Sequence, residues 1–181
     1  MGNGLTTILD NFGPQIAYLW TAIVLVCYVL GLGLVGGALA RYLNVNGGAQ
    51  QVRHSATIWM MVAGTLMLNV PATLNVIANS YLAQNSLQAI SYGSYAAAGS
   101  KLTASFVNFF FTAAAILGLI AFIRGLWLIK DVSEVQQTGT AGKAIAHILA
   151  GSMAINLPEV IRFVARTGGQ DVLDFVEKFM S

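Results

Sequence analysis

One phrase is written twice in this chain. Residues 63–80, AGTLMLNVPATLNVIANS, return at 150–167 as AGSMAINLPEVIRFVART, 87 positions further on. Ala63, Gly64, Asn69, Pro71 and Ala78 recur as Ala150, Gly151, Asn156, Pro158 and Ala165, and most other positions exchange one aliphatic residue for another. Leu30-Gly31-Leu32 matches Leu117-Gly118-Leu119 at the same offset, so the likeness extends upstream. Each copy reads as an apolar helix, a polar turn and a second apolar helix carrying a proline. Proline removes a backbone donor and clashes with the carbonyl four residues back, which for Pro71 is that of Met67. The second helix of each copy is therefore expected to bend. Asn69, Thr65 or a neighbouring helix is expected to satisfy the freed carbonyl, as a helix in lipid requires.

Both copies lie in apolar surroundings. Of the 181 residues, 56 % are hydrophobic and 9 % are charged, with a mean hydropathy of +0.70. A soluble domain of this length needs more charge to cover its surface, and apolar area left in water costs ~25 cal/mol per Å². The solvent that fits is a bilayer or a lipid-filled assembly. Residues 11–40 and 55–100 contain no charge, and a third apolar run covers 102–123. The expected fold is all-α, built of membrane-type helical hairpins in one domain over 1–181. It is a tandem duplication of a two-helix unit with a proline-bent second helix, the units covering about 14–84 and 102–170. Two units in the same orientation make a parallel repeat. Residues 85–100 read as an interfacial loop with Tyr92 and Tyr95 as its aromatics. Gly168-Gly169 is expected to divide the amphipathic last segment into two helical pieces.

Charge is sparse but placed. A net charge of +2 is too small and too scattered for a nucleic-acid footprint, so no direct sequence-specific nucleic-acid binding is expected. Arg41 and Arg53 flank the first polar turn, Arg124, Lys130 and Lys143 flank the second, and Lys101 alone marks the connection between units. By the positive-inside rule these five flanking residues are cytoplasmic-side anchors. No Lys or Arg occurs in the first ten residues, so the start lacks the basic region of a signal peptide and the first apolar run reads as a retained anchor. Cys27, the one cysteine, stands inside that run and reads as a small buried hydrophobe.

Small and polar residues supply the candidate functional positions. Gly33 with Gly37, Ala121 with Gly125, and Ala146 with Ala150 have the spacing that lets helix backbones approach closely in lipid. Together with the duplicated Gly64 and Gly151 they are the expected helix-packing residues, either between hairpins or between subunits. Asn69, Pro71, Asn156 and Pro158 form the repeated kink. Beyond each proline, Asn75 and Asn79 share a helix face at four-residue spacing, and their counterparts are Arg162 and Arg166. Polar groups at membrane depth are costly and turn toward a bundle interior or a wet cavity. This stripe reads as a lumen, lipid-headgroup or partner contact. The plainer alternatives are an interhelical amide bond for Asn75 and an i,i+3 pair with Glu159 for Arg162. His54 and His147 each lack a second ligand at metal spacing, and no paired carboxylates or nucleophile with a base is present. Neither catalysis nor a metal nor a cofactor is expected, and phospholipid is the one candidate ligand.

The run GTLMLNVPATLNVIANS, preceded by a small-residue-rich first span and a short polar turn, resembles the TraQ-like membrane proteins, with their DotE/IcmC relatives, of type IVB secretion and IncI-type conjugation systems. The likeness rests on Gly64, Asn69 and Pro71 within a spanning helix. It covers the first half directly and the second half through the repeat, and the charged last 25 residues depart from it. The resemblance implies a non-enzymatic, oligomerising structural subunit of a bacterial conjugation or type IV secretion apparatus. Its implied partners are copies of itself, phospholipid and other subunits of the apparatus. Its implied location is the bacterial inner membrane, or a conjugative pilus polymerised from it with lipid. The rival reading is a stand-alone small transporter or channel, because transporters also use parallel repeats and broken helices. Buried ionisable residues in the spans discriminate the two, and the apolar runs before position 143 hold almost none.

Overall fold

The computed structural model describes residues 2–46, 54–82, 101–134 and 140–180. Every element among them is helical: α1 (Gly2–Asn46), α2 (His54–Leu68), α3 (Val70–Leu82), α4 (Lys101–Glu134), α5 (Thr140–Ile155), α6 (Leu157–Gly168) and α7 (Gln170–Met180). Tyr18–Leu43 in α1 and Ser105–Asp131 in α4 are long and apolar enough to cross a membrane. Their 26 and 27 residues span about 39 and 40 Å at 1.5 Å per residue, against a hydrocarbon layer of ~30 Å. Neither stretch contains a proline, so each keeps its backbone bonds without interruption.

The other two apolar segments are broken. α2 gives way to α3 at Asn69 and α5 to α6 at Asn156, and the helix axes turn by 95° and 89°. These are right-angled breaks rather than the shallower bends of a continuous helix. With 15 and 16 residues, α2 and α5 reach about 22 and 24 Å, short of a full crossing. Pro71 and Pro158 occupy the second position of α3 and α6. A proline in a first turn forfeits no intrahelical bond, because that N–H has no partner in the helix.

The helices form two antiparallel pairs. Gly31 of α1 lies against Gly64 and Leu68 of α2, and Gly37 lies against Met60, so rising numbers on one helix meet falling numbers on the other. In the second pair Gly118 of α4 lies against Gly151 and Ile155 of α5, and Gly125 against Ile148 and Ala144. α4 joins the pairs by packing on both α1 and α2. One core results, with Cys27, Leu34, Met60 and Met67 from the first pair and Leu119, Phe122, Leu126 and Ile155 from the second. α3 crosses to α5 and buries Val70, Leu74, Ala78 and Leu82 on a single face. α6 and α7 pack on each other and part at Gly169, whose φ of 105° is open to glycine and strained for other residues. The outward faces of α1 and α4 remain apolar, with Leu25, Val29, Phe106 and Phe110 exposed. A surface of that kind suits lipid or another apolar partner.

Candidate functional site

The closest helix approaches centre on glycine pairs. A Cβ added to Gly151 would lie 2.6 Å from both the Gly118 carbonyl oxygen and the Phe122 amide nitrogen. One added to Gly118 would lie 2.7 Å from the Gly151 oxygen and 2.8 Å from the Ile155 nitrogen. In the first pair, a Cβ on Gly31 would meet the Leu68 nitrogen at 2.8 Å and the Gly64 oxygen at 2.9 Å, and one on Gly64 would meet the Gly31 oxygen at 3.0 Å. Gly125 adds a second tight point, 2.6 Å from the Ile148 Cγ1. Backbone touches backbone here, which in lipid supplies the packing attraction that apolarity alone does not.

These positions differ in part from those expected on spacing. Gly31 and Gly118 carry the crossings, whereas a Cβ on Gly33 would meet nothing within 4 Å. Gly37 meets only the methyl end of Met60. Ala121 is half-buried, and Ala146 and Ala150 are exposed. The signal that marks Gly31 and Gly118 in the sequence is their recurrence in identical Leu-Gly-Leu triplets, not the four-residue spacing of small residues.

At the breaks the two asparagines do different work. The Asn69 Oδ1 accepts from the Ala72 amide at 3.2 Å, which caps α3. The Thr73 hydroxyl donates to the Leu66 carbonyl at 3.1 Å and reaches the Asn69 carbonyl at 3.0 Å. Thr65 takes no part, since its hydroxyl bonds the Met61 carbonyl within α2. At the second break position 160 is valine, and Asn156 turns the other way, its Nδ2 donating to the Ser152 carbonyl at 2.9 Å. The Ser152 hydroxyl is fully buried and lies 2.9 Å from the Tyr81 hydroxyl, a polar link from α3 to α5. Removing both groups at the first break, Asn69→Ala with Thr73→Val, is expected to destabilise the chain by about 2 kcal/mol, one each for the lost cap and the orphaned carbonyl. Unfolding in a detergent titration reads this against Thr65→Val, which is expected to change little.

The polar stripe divides between the halves. Asn75 and Asn79 are half-buried on α3, with the Asn79 Nδ2 donating to the Asn75 Oδ1 at 3.4 Å. The Asn79 Oδ1 is buried with no partner among the described residues. On α6, the Arg162 Nη1 sits 2.6 Å from the Glu159 Oε1, and Arg166 is exposed. Of the anchors, Arg41 is half-buried near the end of α1, while Arg124 on α4 and Lys143 in the first turn of α5 are exposed. The Lys130 Nζ lies 5.0 Å from the centre of the Trp127 ring and 3.9 Å from the Asp131 Oδ1. An ammonium so placed is attracted to the face of the indole ring. Arg53, Tyr92 and Tyr95 lie outside the described residues.

Among the described residues the buried polar side chains are Thr57, Ser105, Thr112 and Ser152, none of them charged. No cluster of three or more His, Cys, Asp and Glu occurs among them, and His147 donates through its Nδ1 to the Lys143 carbonyl at 2.8 Å. An apolar cleft of about 290 Å³ opens where α3 turns away from α2, lined by Leu66, Thr73, Val76, Leu126 and Ile148. Its one hydroxyl is already spent on the break, so nothing in it recognises a polar ligand. No family model, curated protein or solved structure matches the chain.

Proposed function

We propose that the chain is a tandem duplication of a proline-broken hairpin that oligomerises as a non-enzymatic structural subunit of a bacterial conjugation or type IV secretion apparatus. The observation that carries the duplication is the pair of glycine crossings. Gly31 on Gly64 and Gly118 on Gly151 are the same contact at the same sequence offset, and each is followed by a break of about 90° two residues before a proline. In this reading the prolines terminate α2 and α5, and α3 and α6 lie across the hairpins they follow. The resemblance of residues 64–80 to the TraQ-like proteins supports the apparatus. The apolar outward faces and the basic residues near the hairpin turns support the inner membrane, with polymerisation into a conjugative pilus as the exported form and phospholipid as the companion.

A stand-alone transporter shares the broken helices. It is the weaker reading, because transport of ions or polar solutes uses charged groups at membrane depth, and no Asp, Glu, Lys, Arg or His is among the buried side chains of the described residues. Electron microscopy of material sheared from donor cells separates the forms. Filaments composed of this polypeptide establish the pilus form, and confinement to membrane fractions establishes the embedded form. Undiminished DNA transfer from donors lacking the chain would end the proposal in both.

A further inference from the structure

The two units are built alike but are not equally covered. From the glycine at each crossing, a turn of about 100° around the helix in one direction reaches Leu119 on α4 and Leu32 on α1. Leu119 and Leu126 are 0 % exposed and share a core with α1 and α2. Their counterparts Leu32 and Leu39 are 50 % and 46 % exposed, and Tyr28, the counterpart of buried Ala115, is 48 % exposed. This is the leading face, occupied in the second unit and bare in the first.

The opposite side shows the reverse. Ile23, Leu34 and Ala63 of the first unit belong to the shared core or pack against it, and Ala63 is 0 % exposed. Their counterparts are Phe110, 58 % exposed, Ala121, half-buried, and Ala150, exposed. Ala63 and Ala150 are the same residue at the same position of the repeat, one covered and one open. This is the trailing face, occupied in the first unit and bare in the second. Inside the chain, then, the leading face of the second unit is seated on the trailing face of the first.

We infer that the two bare faces pair between copies of this chain, the leading face of the first unit in one copy seating on the trailing face of the second unit in the next. The joint between copies then repeats the joint inside each copy. The inference rests on the proposed duplication and oligomerisation, and it specifies the interface. In lipid, apolarity alone does not bring helices together, because acyl chains are as apolar as leucine; shape does. The internal joint supplies the shape match, with a small residue at Ala63 and again at Ala150. The contact is heterologous, so growth is head to tail and gives a ring if the rotation closes and an open helical filament if it does not.

Two variants test this. Leu32→Trp with Leu39→Trp obstructs the leading face, and Ala150→Trp obstructs the trailing face. All three side chains are exposed within the chain, and helical content checked by circular dichroism should match the parent. Native mass spectrometry from lipid nanodiscs reads the assembly. A head-to-tail joint requires one face of each kind, so each variant alone is expected to be monomeric, while an equimolar mixture forms dimers and nothing larger. A mixture that stays monomeric, or one obstructed face that leaves assembly unchanged, overturns the joint and points to a two-fold contact or to lipid as the occupant. Unmodified chain that stays monomeric overturns the oligomerising reading beneath it as well.

Discussion

Gly151→Ala is expected to destabilise the chain by about 3 kcal/mol, at the upper end of what an overpacked site costs. The added methyl would sit 2.6 Å from the Gly118 oxygen and from the Phe122 nitrogen, and both are backbone atoms that move only if α4 and α5 separate. Separation also loosens Gly125 against Ile148, the next tight point along the same pair. Gly64→Ala is expected to cost less, about 1–2 kcal/mol, because its nearest neighbour is the Val35 Cγ2, the end of a side chain. Gly33→Ala reverses the sign. Its Cβ meets nothing, and a glycine-to-alanine change inside an exposed helix gains about 0.5–1 kcal/mol from backbone entropy. Unfolding of the three variants in mixed detergent micelles should therefore rank Gly33→Ala above the parent, Gly64→Ala below it and Gly151→Ala lowest. Equal behaviour of Gly33→Ala and Gly151→Ala would mean that backbone contact at the crossings does not hold the hairpins together.

The second large effect concerns α6. Reversing both arginines, Arg162→Glu with Arg166→Glu, is expected to weaken contact with anionic headgroups by about 4 kcal/mol. Each basic residue near such a surface contributes ~1 kcal/mol, and reversal counts twice at each position. That corresponds to roughly a thousandfold in affinity. The Glu159–Arg162 pair does not offset the loss, since a partly exposed ion pair of this kind contributes at most about 1 kcal/mol. The measurement is the ratio of phosphatidylglycerol to phosphatidylethanolamine retained on the purified full chain, together with DNA transfer from donor cells. Both should fall, and Arg162→Lys with Arg166→Lys should preserve both. The same lipid ratio and full transfer after reversal would show that the stripe on α6 meets neither headgroups nor a charged partner.

Much of this architecture was legible in the chain because lipid imposes a severe rule. A backbone in hydrocarbon must satisfy its own hydrogen bonds, so long charge-free runs read as helices. α1 and α4 lie where those runs lie, and Cys27 is buried as its surroundings imply. The segments carrying Pro71 and Pro158 are interrupted at Asn69 and Asn156, two residues before each proline. The division of the last segment at Gly168-Gly169 was likewise visible, since only glycine takes the φ found at Gly169 without strain.

Three features were not legible. A proline bars one backbone bond but sets no angle, so the turns of 95° and 89° came only with the packing of α3 on α5 and of α6 on its neighbours. Small residues are frequent all around these helices, so four-residue spacing pointed to Gly33; the repeated Leu-Gly-Leu triplet marks Gly31 as duplicated, but its place at the crossing came only with the rotation of α1 against α2. Asn69 and Asn156 are identical letters at matching positions, yet one caps the following helix and the other bonds the preceding one. Position 73 is threonine and position 160 valine, so the hydroxyl that reaches the Leu66 carbonyl at the first break has no counterpart at the second. By itself the sequence determined which segments are helical, because backbone hydrogen bonding along a long apolar run is a local requirement. Tertiary structure alone decided which face of each helix is covered, because among side chains of nearly equal apolarity only the shape of the neighbour distinguishes one face from another.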